Sequence, residues 1–278
     1  MGGACSCCEG AVDLQAEDTK DLRRAARDGD VGNMEALLQK MDIDQINSGA
    51  GKAEAQEDEE GMTALHYAVA SNNIAGCELL LQKGARVNQK DKLGRRAVHF
   101  CVGKGFYTTL VLLIKNGADM NVQDKSGATP LMYAFLHGYK TSVPWMLSLA
   151  DKHGGTHINL NLLDGGGSSY ATIAAMYGWW DILELLLPAS QGNNSGISAQ
   201  TLNVRNKAGE TVLGWILKFC ASGTIEVDFT IGMVSRLLSL GVKAGTPAFK
   251  ESIPPICLAA AIGDLVLLDV ISKAAGPD

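Results

Sequence analysis

The chain has 278 residues, of which 46% are hydrophobic and 19% are charged. This composition supplies enough apolar material for a folded core and argues against disorder along the whole length. A formal net charge of −6 and a pI of about 5.4 argue against nucleic acid as a main partner, because nucleic-acid-binding domains carry a basic surface.

The chain begins MGGACSCC, which fits the myristoylation pattern M-G-x-x-x-[ST] with Gly2 exposed once the initiator is removed and Ser6 at the required place. Three cysteines lie within six residues of Gly2, so the N-terminus resembles that of dually acylated (myristoylated and palmitoylated) signalling proteins. One myristoyl chain anchors a protein only marginally, and the acidic residues that follow cannot act as a polybasic second signal. The segment 1–17 is therefore predicted to be a flexible lipid anchor. The predicted lipidation sites are Gly2, Cys5, Cys7 and Cys8.

Other interpretations of these cysteines stay open. A zinc site needs four ligands with a loop between pairs, and the three crowded cysteines lack a fourth. A redox pair is a second alternative, and an unmodified tail is the main competitor of acylation. The odd total of seven cysteines and the lack of a secretory signal favour a reduced, cytosolic compartment. The remaining cysteines are predicted to be small buried hydrophobic residues, namely Cys77, Cys101, Cys220 and Cys257.

A helix–turn–helix pattern, DLRRAARDGDVGNMEALLQ, starts at Asp21. Residues 18–47 are predicted to form an N-terminal capping unit with a solvent-exposed, polar outer face. The next stretch, 48–60, reads SGAGKAEAQEDEE and is polar and acidic, so we expect a loop there.

A 33-residue period follows this loop. Gly61, Gly94 and Gly127 are 33 residues apart, and Gly84 and Gly117 show the same step. Such a period predicts a repeat architecture, in which stacked units share one continuous core. Gly84 and Gly117 are each expected to follow a second helix and to adopt a left-handed backbone conformation.

The two blocks from Gly61 and Gly94 read GMTALHYAVASNNIAGCELLLQKGARVNQKD and GRRAVHFCVGKGFYTTLVLLIKNGADMNVQD. They resemble the ankyrin repeat: a turn, a TPLH-like helix start, a Leu-rich second helix and a closing GADVN hairpin. Thr63 is the expected N-cap of the first such helix. The resemblance implies an all-α repeat solenoid of helix–turn–helix units with β-hairpin-type connecting loops, over about 18–272.

Later units are longer. The openings GATPLMYAFLHG, GSSYATIAAMYGWW and GETVLGWILKFC start at Gly127, Gly167 and Gly209, with the extra residues in loops. The predicted repeats are 61–93, 94–126, 127–166, 167–208 and 209–250, with a C-terminal cap over 251–273.

Proteins with ankyrin repeats bind other proteins on a concave surface made of hairpin tips and first helices, so the resemblance implies protein partners. The alternative is that the tip residues are ordinary solvated turn residues, and only their repetition along one groove favours a site. The predicted partner-binding residues are Arg86, Asn88, Gln89, Lys90, Asp119, Asn121, Gln123, Lys125, Trp179, Arg205, Asn206 and Lys207.

No motif in the sequence indicates an enzyme. There is no phosphate-binding glycine loop, no nucleophile elbow and no paired metal ligands. His66 and His99 stand at the histidine of the TPLH-like motif, where the resemblance implies a structural hydrogen bond to neighbouring backbone. We therefore expect no catalytic residue, no metal, no cofactor and no small-molecule substrate.

These observations predict a non-catalytic scaffold or adaptor, cytoplasmic and peripheral on the cytosolic face of a membrane, such as the plasma or flagellar membrane. One alternative is a structural or regulatory subunit of a larger assembly, for example a cytoskeletal or ciliary one, with the N-terminus unmodified. A cryptic enzyme or enzyme accessory is the other.

Overall fold

The computed structural model describes residues 6–47, 61–152, 157–188, 196–249 and 253–275, with the backbone alone for 6–16 and 150–152. The predicted acidic loop, 48–60, lies outside the described residues. Two compact units divide the chain. Unit 1 comprises Met1–Lys125, Thr129–Tyr139 and Trp145–Ile158, and unit 2 comprises Ser126–Ala128, Lys140–Pro144 and Asn159–Asp278.

Unit 1 consists of helices that stack in two rows. The helices are α1 (Ser6–Asp28), α2 (Val31–Leu38), α3 (Ile43–Ile46), α4 (Ala64–Ala70), α5 (Ile74–Gln82), α6 (Ala97–Lys104), α7 (Tyr107–Lys115), α8 (Pro130–Leu136) and the part of α9 (Val143–Lys152) that starts at Trp145. The first helices α1, α4, α6 and α8 pack one on the next, and the second helices α2, α5 and α7 do the same. Their apolar faces meet in a core that includes Leu22, Leu80, Leu110 and Leu113, which are all fully buried.

Unit 2 repeats this arrangement. Its elements are a 3₁₀ turn (Lys140–Ser142) and helices α10 (Tyr170–Met176), α11 (Trp180–Leu186), α12 (Ala199–Leu202), α13 (Val212–Ala221), α14 (Val227–Ser239), α15 (Pro255–Ile262) and α16 (Leu265–Ala275). Helix α13 packs against α10 and α15, and α14 packs against α13 and α16. The core of this unit includes Tyr170, Leu183 and Ile216.

The predicted fold class, all-α helix–turn–helix repeats, is confirmed, and the described residues contain helices and no strands. Three of the connecting loops contain a tight turn closed by a backbone hydrogen bond, from Asp91 N–H to the Arg95 carbonyl at 2.9 Å, from Asp164 to Ser168 at 3.0 Å and from Asn206 to Glu210 at 3.1 Å. Among the described residues, no helix combines the length and the apolar character that crossing a bilayer demands.

The glycines that recur at the start of each repeat have a left-handed backbone conformation, which explains why glycine is used there. Gly61, Gly94, Gly127, Gly167 and Gly209 all have φ between +67° and +80°, a region that L side chains rarely adopt. At Gly127 space is also short, since a Cβ would lie 2.4 Å from the backbone nitrogen of residue 165. The left-handed conformation predicted after the second helices is confirmed at 84 and 117, where φ is +90° and +83°.

First helices begin in two ways. In Thr129, Ser169 and Thr211 the side-chain oxygen accepts the backbone N–H three residues on, at 3.1 to 3.2 Å. Thr63 is the N-cap of α4, as predicted, but here the ring of His66 makes the bond. The Nδ1 of His66 accepts the Thr63 backbone N–H at 3.1 Å and lies 2.9 Å from the Thr63 hydroxyl.

Two findings differ from the sequence predictions. The backbone of the segment 6–17, expected to be flexible, belongs to α1, because its alanines, leucine, glutamine and glutamates favour helix and it contains no proline. Cys257, expected to be buried, is exposed on α15, whereas Cys77, Cys101 and Cys220 are buried as predicted. The reason is that α15 is apolar along most of its length, so hydrophobicity alone did not show which side faces the core.

Candidate functional site

Asparagines in the loops of unit 1 join each repeat to the next. The side-chain amide of Asn88 donates to the carbonyl of residue 117 at 2.9 Å and accepts the backbone N–H of Asp119 at 3.1 Å. Asn121 donates to the carbonyl of His157 at 2.8 Å. Asn47 accepts the backbone N–H of Arg86 at 2.6 Å. Two residues predicted to bind a partner, Asn88 and Asn121, thus bind the neighbouring repeat.

The same bond recurs inside unit 2. Asn161 accepts the backbone N–H of Ser198 at 2.8 Å, and Asn203 donates to the carbonyl of residue 241 and accepts from Lys243. Each of these asparagines follows a large apolar residue in the sequence, but Asn159 does so too and is not among them, so this pattern alone does not select the set. We call the set the asparagine links; its members are Asn47, Asn88, Asn121, Asn161 and Asn203.

The other predicted tip residues of unit 1 differ in what they offer a partner. Arg86 is exposed and lies 3.5 Å from the Asp44 carboxylate. A carboxylate oxygen of Asp119 accepts the backbone N–H of residue 121 at 2.9 Å. Gln89 is half-buried. The remaining three are exposed, namely Lys90, Gln123 and Lys125.

In unit 2, two of the predicted residues hold loops in place. The guanidinium of Arg205 donates to the carbonyls of residues 209 and 249. The side chain of Asn206 bonds Ser168 Oγ at 3.0 Å and both the backbone and the carboxylate of Glu210. Lys207 is exposed, and its backbone N–H donates to the carbonyl of residue 166.

The paired tryptophans have different surroundings. Trp180 packs edge-on against Phe219, with ring centroids 5.3 Å apart, as expected for a residue that packs on the next repeat. Trp179 is half-buried and lies beside the exposed Tyr177, with ring centroids 5.7 Å apart.

The first helices of unit 1 carry an aromatic row that sequence reasoning missed. Tyr67, Phe100 and Tyr133 are 33 residues apart, each four residues after an N-cap, and all are half-buried. Each histidine of the preceding repeat packs edge-on against the next ring: His66 on Phe100 at 5.6 Å and His99 on Tyr133 at 5.3 Å. The 33-residue step of aromatic residues was the available signal. The row therefore leaves part of each of these three rings accessible to solvent.

Near the aromatic row, two aspartates are hydrogen-bonded, whereas the lysines are exposed to solvent. The carboxylate of Asp91 is buried and bonded to the Arg95 guanidinium at 2.7 Å, and that guanidinium lies 4.6 Å above the Phe100 ring. The carboxylate of Asp124 accepts the Tyr133 hydroxyl at 2.8 Å. Burial, together with this bond, raises the pKa of the Tyr133 phenol. The nearby lysines are exposed: Lys90, Lys92, Lys104 and Lys125.

Three buried side chains of unit 1, those of His66, Cys77 and Cys101, have pKa values shifted by burial. Burial lowers the pKa of His66 to about 4 and raises that of Cys77 to about 12. It also raises the pKa of the Cys101 thiol. At neutral pH these groups are therefore a neutral ring and two thiols. Nowhere in the described part of the chain do three His, Cys, Asp or Glu residues come together as a metal site would require.

The predicted lipidation sites are not described at the level of side chains. Gly2 and Cys5 lie outside the described residues. Cys7 and Cys8 belong to α1, for which the backbone alone is described at these positions.

Comparison with known proteins gives a family and two partial relatives. The family profile described as "Ankyrin repeats (3 copies)" matches residues 12–91 and 85–161, more than half of the chain. Palmitoyltransferase akr1 of Neurospora crassa is 36% identical over 76 residues, and palmitoyltransferase AKR1 of Gibberella zeae is 34% identical over 77 residues. These matches cover 27% and 28% of this chain, and the chain spans 9% of the length of either relative.

Proposed function

Because this chain belongs to the ankyrin-repeat family, we propose that it is a non-catalytic protein-interaction scaffold or adaptor, held at the cytosolic face of a membrane by N-terminal acylation. Ankyrin repeats indicate protein partners. The observation that carries the binding role is the set of half-buried aromatic rings, with exposed basic side chains beside them, on the first helices and tips of unit 1, since aromatic residues are enriched where proteins bind each other.

The proposal takes the likeness to the palmitoyltransferases as a shared repeat module. The match amounts to 9% of the length of each relative, so it carries no argument for transferase activity here. The surroundings of two thiols of unit 1 agree with a non-catalytic role. A nucleophilic cysteine needs a lowered pKa and access to substrate, whereas Cys77 and Cys101 are buried with raised pKa values.

The membrane role is proposed from the N-terminal sequence. Gly2 and Ser6 fit the myristoylation pattern, and the neighbouring cysteines offer thiols for a second acyl chain. Two chains are needed for stable anchoring, because a single myristoyl group binds a bilayer with marginal affinity. An anchor at this end would hold the repeats at the membrane surface, where a bound partner would be concentrated.

The test is cell fractionation with proximity labelling of a C-terminally tagged full chain, comparing wild type with Gly2→Ala. We expect wild type in the membrane fraction and Gly2→Ala in the soluble fraction with a changed set of neighbours. Gly3→Ala is the matched control, because position 3 is unconstrained in the pattern. Unchanged location and neighbours for Gly2→Ala would contradict the anchor and favour a fixed subunit of a cytoskeletal or ciliary assembly.

A further inference from the structure

A basic face lies over the two repeats 61–93 and 94–126 of unit 1. Arg96, Phe100 and Lys104 are four residues apart, so they follow one side of α6. The tip that carries Lys92 lies beside the tip that carries Lys125, whose backbone N–H donates to the Leu93 carbonyl at 2.9 Å. We define the basic face as Lys90, Lys92, Lys104 and Lys125 together with the ring of Phe100.

The charge of this region is opposite to that of the whole chain. Residues 86–125 contain eight lysines and arginines and three aspartates, although the chain has a formal net charge of −6. All three carboxylates accept hydrogen bonds within unit 1: Asp91 from Arg95, Asp119 from the backbone of residue 121, and Asp124 from the Tyr133 hydroxyl. Their charges are thus partly satisfied inside the repeat stack.

Unlike these carboxylates, the lysines of the basic face have their charges exposed to solvent. All four are exposed, and within the described residues none of them makes an ion pair. Apolar surface lies among them, since Leu93 at the tip is 47% exposed and Phe100 is half-buried. A partner that complements this surface carries several negative charges and at least one apolar side chain.

We propose that the basic face binds an acidic segment of a partner protein, in which Asp or Glu side chains meet Lys92, Lys104 and Lys125 and an apolar side chain packs on Leu93 and Phe100. This inference rests on the proposed scaffold function and names the chemistry of its partner. A protein segment fits better than nucleic acid, because the remainder of the chain is strongly negative and would repel a long polyanion.

The test uses the purified full chain and a fluorescein-labelled 12-residue peptide with six glutamates and two leucines, followed by fluorescence anisotropy. A peptide with glutamine in place of glutamate is the probe control. We expect the acidic peptide to bind and the glutamine peptide to bind at least tenfold more weakly. We also expect the affinity to fall as NaCl rises from 50 to 500 mM, because exposed charges are screened by salt.

The variant is Lys92→Glu/Lys104→Glu/Lys125→Glu, and the matched control is Lys40→Glu/Lys83→Glu/Lys115→Glu. The control makes the same change in net charge at three exposed lysines near the ends of second helices. We expect the first triple variant to lose about tenfold or more in affinity, from about two- to fourfold per lysine contact, and the control to lose less than threefold. The neutral variant Lys92→Gln/Lys104→Gln/Lys125→Gln should bind the acidic peptide with an affinity between those of wild type and the charge-reversed variant.

Equal losses in the two charge-reversed triples would overturn the proposal, because the effect would then come from net charge alone. Wild-type protein that binds a 12-nucleotide oligothymidylate or phosphatidylserine vesicles more tightly than the acidic peptide would overturn it too. The same experiments distinguish failure of this inference from failure of the proposed scaffold function. If proximity labelling finds repeat-dependent partners and the Lys92, Lys104 and Lys125 variant keeps all of them, the scaffold stands and the acidic partner is wrong.

Discussion

The imidazole of His66 is buried in unit 1, and its Nδ1 accepts the backbone N–H of Thr63. Burial disfavours the charged ring and lowers its pKa from 6.5 to about 4. Between these two values the unfolded chain binds a proton that the folded chain does not. The free energy of unfolding therefore falls as the pH drops from about 6.5 to about 4, by about 3 kcal/mol from this one group.

A substitution can isolate this contribution. The fourth repeat has Thr172 at the position of His66, so His66→Thr keeps a residue that the fold accepts there. We expect His66→Thr to lose about 1–3 kcal/mol at pH 7, from the lost packing and hydrogen bond. We also expect its stability to depend less on pH than wild type between 6.5 and 4. Urea unfolding followed by circular dichroism at several pH values measures both effects.

The control for this experiment is His137→Thr, because His137 is exposed. Carboxylates contribute the same pH dependence to all three proteins, so the comparison of slopes reports the histidine alone. A slope for His66→Thr that matches those of wild type and His137→Thr would show that the His66 ring has the same pKa in the folded and the unfolded protein.

At the scale of helices and loops, the asparagine links connect consecutive repeats. Asn88 makes two bonds to the following loop, at 2.9 and 3.1 Å. We expect Asn88→Ala to lower the free energy of unfolding by about 1–2 kcal/mol, since it leaves a backbone N–H and a carbonyl without that partner. Chemical denaturation of purified variants checks this value.

Asn116→Ala provides the comparison, because the Asn116 amide donates to the Leu112 carbonyl within the same helix end. Both side chains are exposed asparagines with a hydrogen bond to a carbonyl, but only Asn88 spans two repeats. We expect Asn116→Ala to cost about 0.5 kcal/mol or less. Equal costs for the two variants would mean that the link adds nothing beyond local turn stability.

The elements also show what the sequence can and cannot predict. The repeat frame was predictable because Gly61 and Gly94 occupy a left-handed conformation that few other residues adopt, so the same residue recurs at the same step. The role of Asn88 was not, because its bonds reach a loop about 30 residues away and depend on how the two repeats stack. The aromatic row was overlooked because a ring such as Phe100, half-buried on a first helix, has the same sequence signature as a core residue.

At the scale of the whole molecule, the chain forms two compact units, and repeat arrays are stabilised mainly by contacts between neighbours. Of the four tryptophans, only Trp145 belongs to unit 1. In a Trp145→Phe background, tryptophan fluorescence therefore reports unit 2, whereas circular dichroism reports the helices of both units.

This division predicts that a change in unit 1 affects the two signals differently. Asn88→Ala in the Trp145→Phe background should shift the circular-dichroism transition to lower urea and shift the fluorescence transition less. The parent Trp145→Phe protein is the reference for both shifts. Equal shifts in the two transitions would show that the units unfold as one cooperative block.

The asparagine links also bear on how such a chain can change over generations. Each link binds main-chain N–H or C=O groups of the next loop, for example those of residues 241 and 243 for Asn203. Main-chain groups are the same whatever side chains the next repeat carries. The joint between repeats is thus a generic coupling, so a repeat can be lengthened, duplicated or rewritten at its surface while the coupling to its neighbour survives. Repeats of 33 and of 40 or more residues can therefore coexist in one protein.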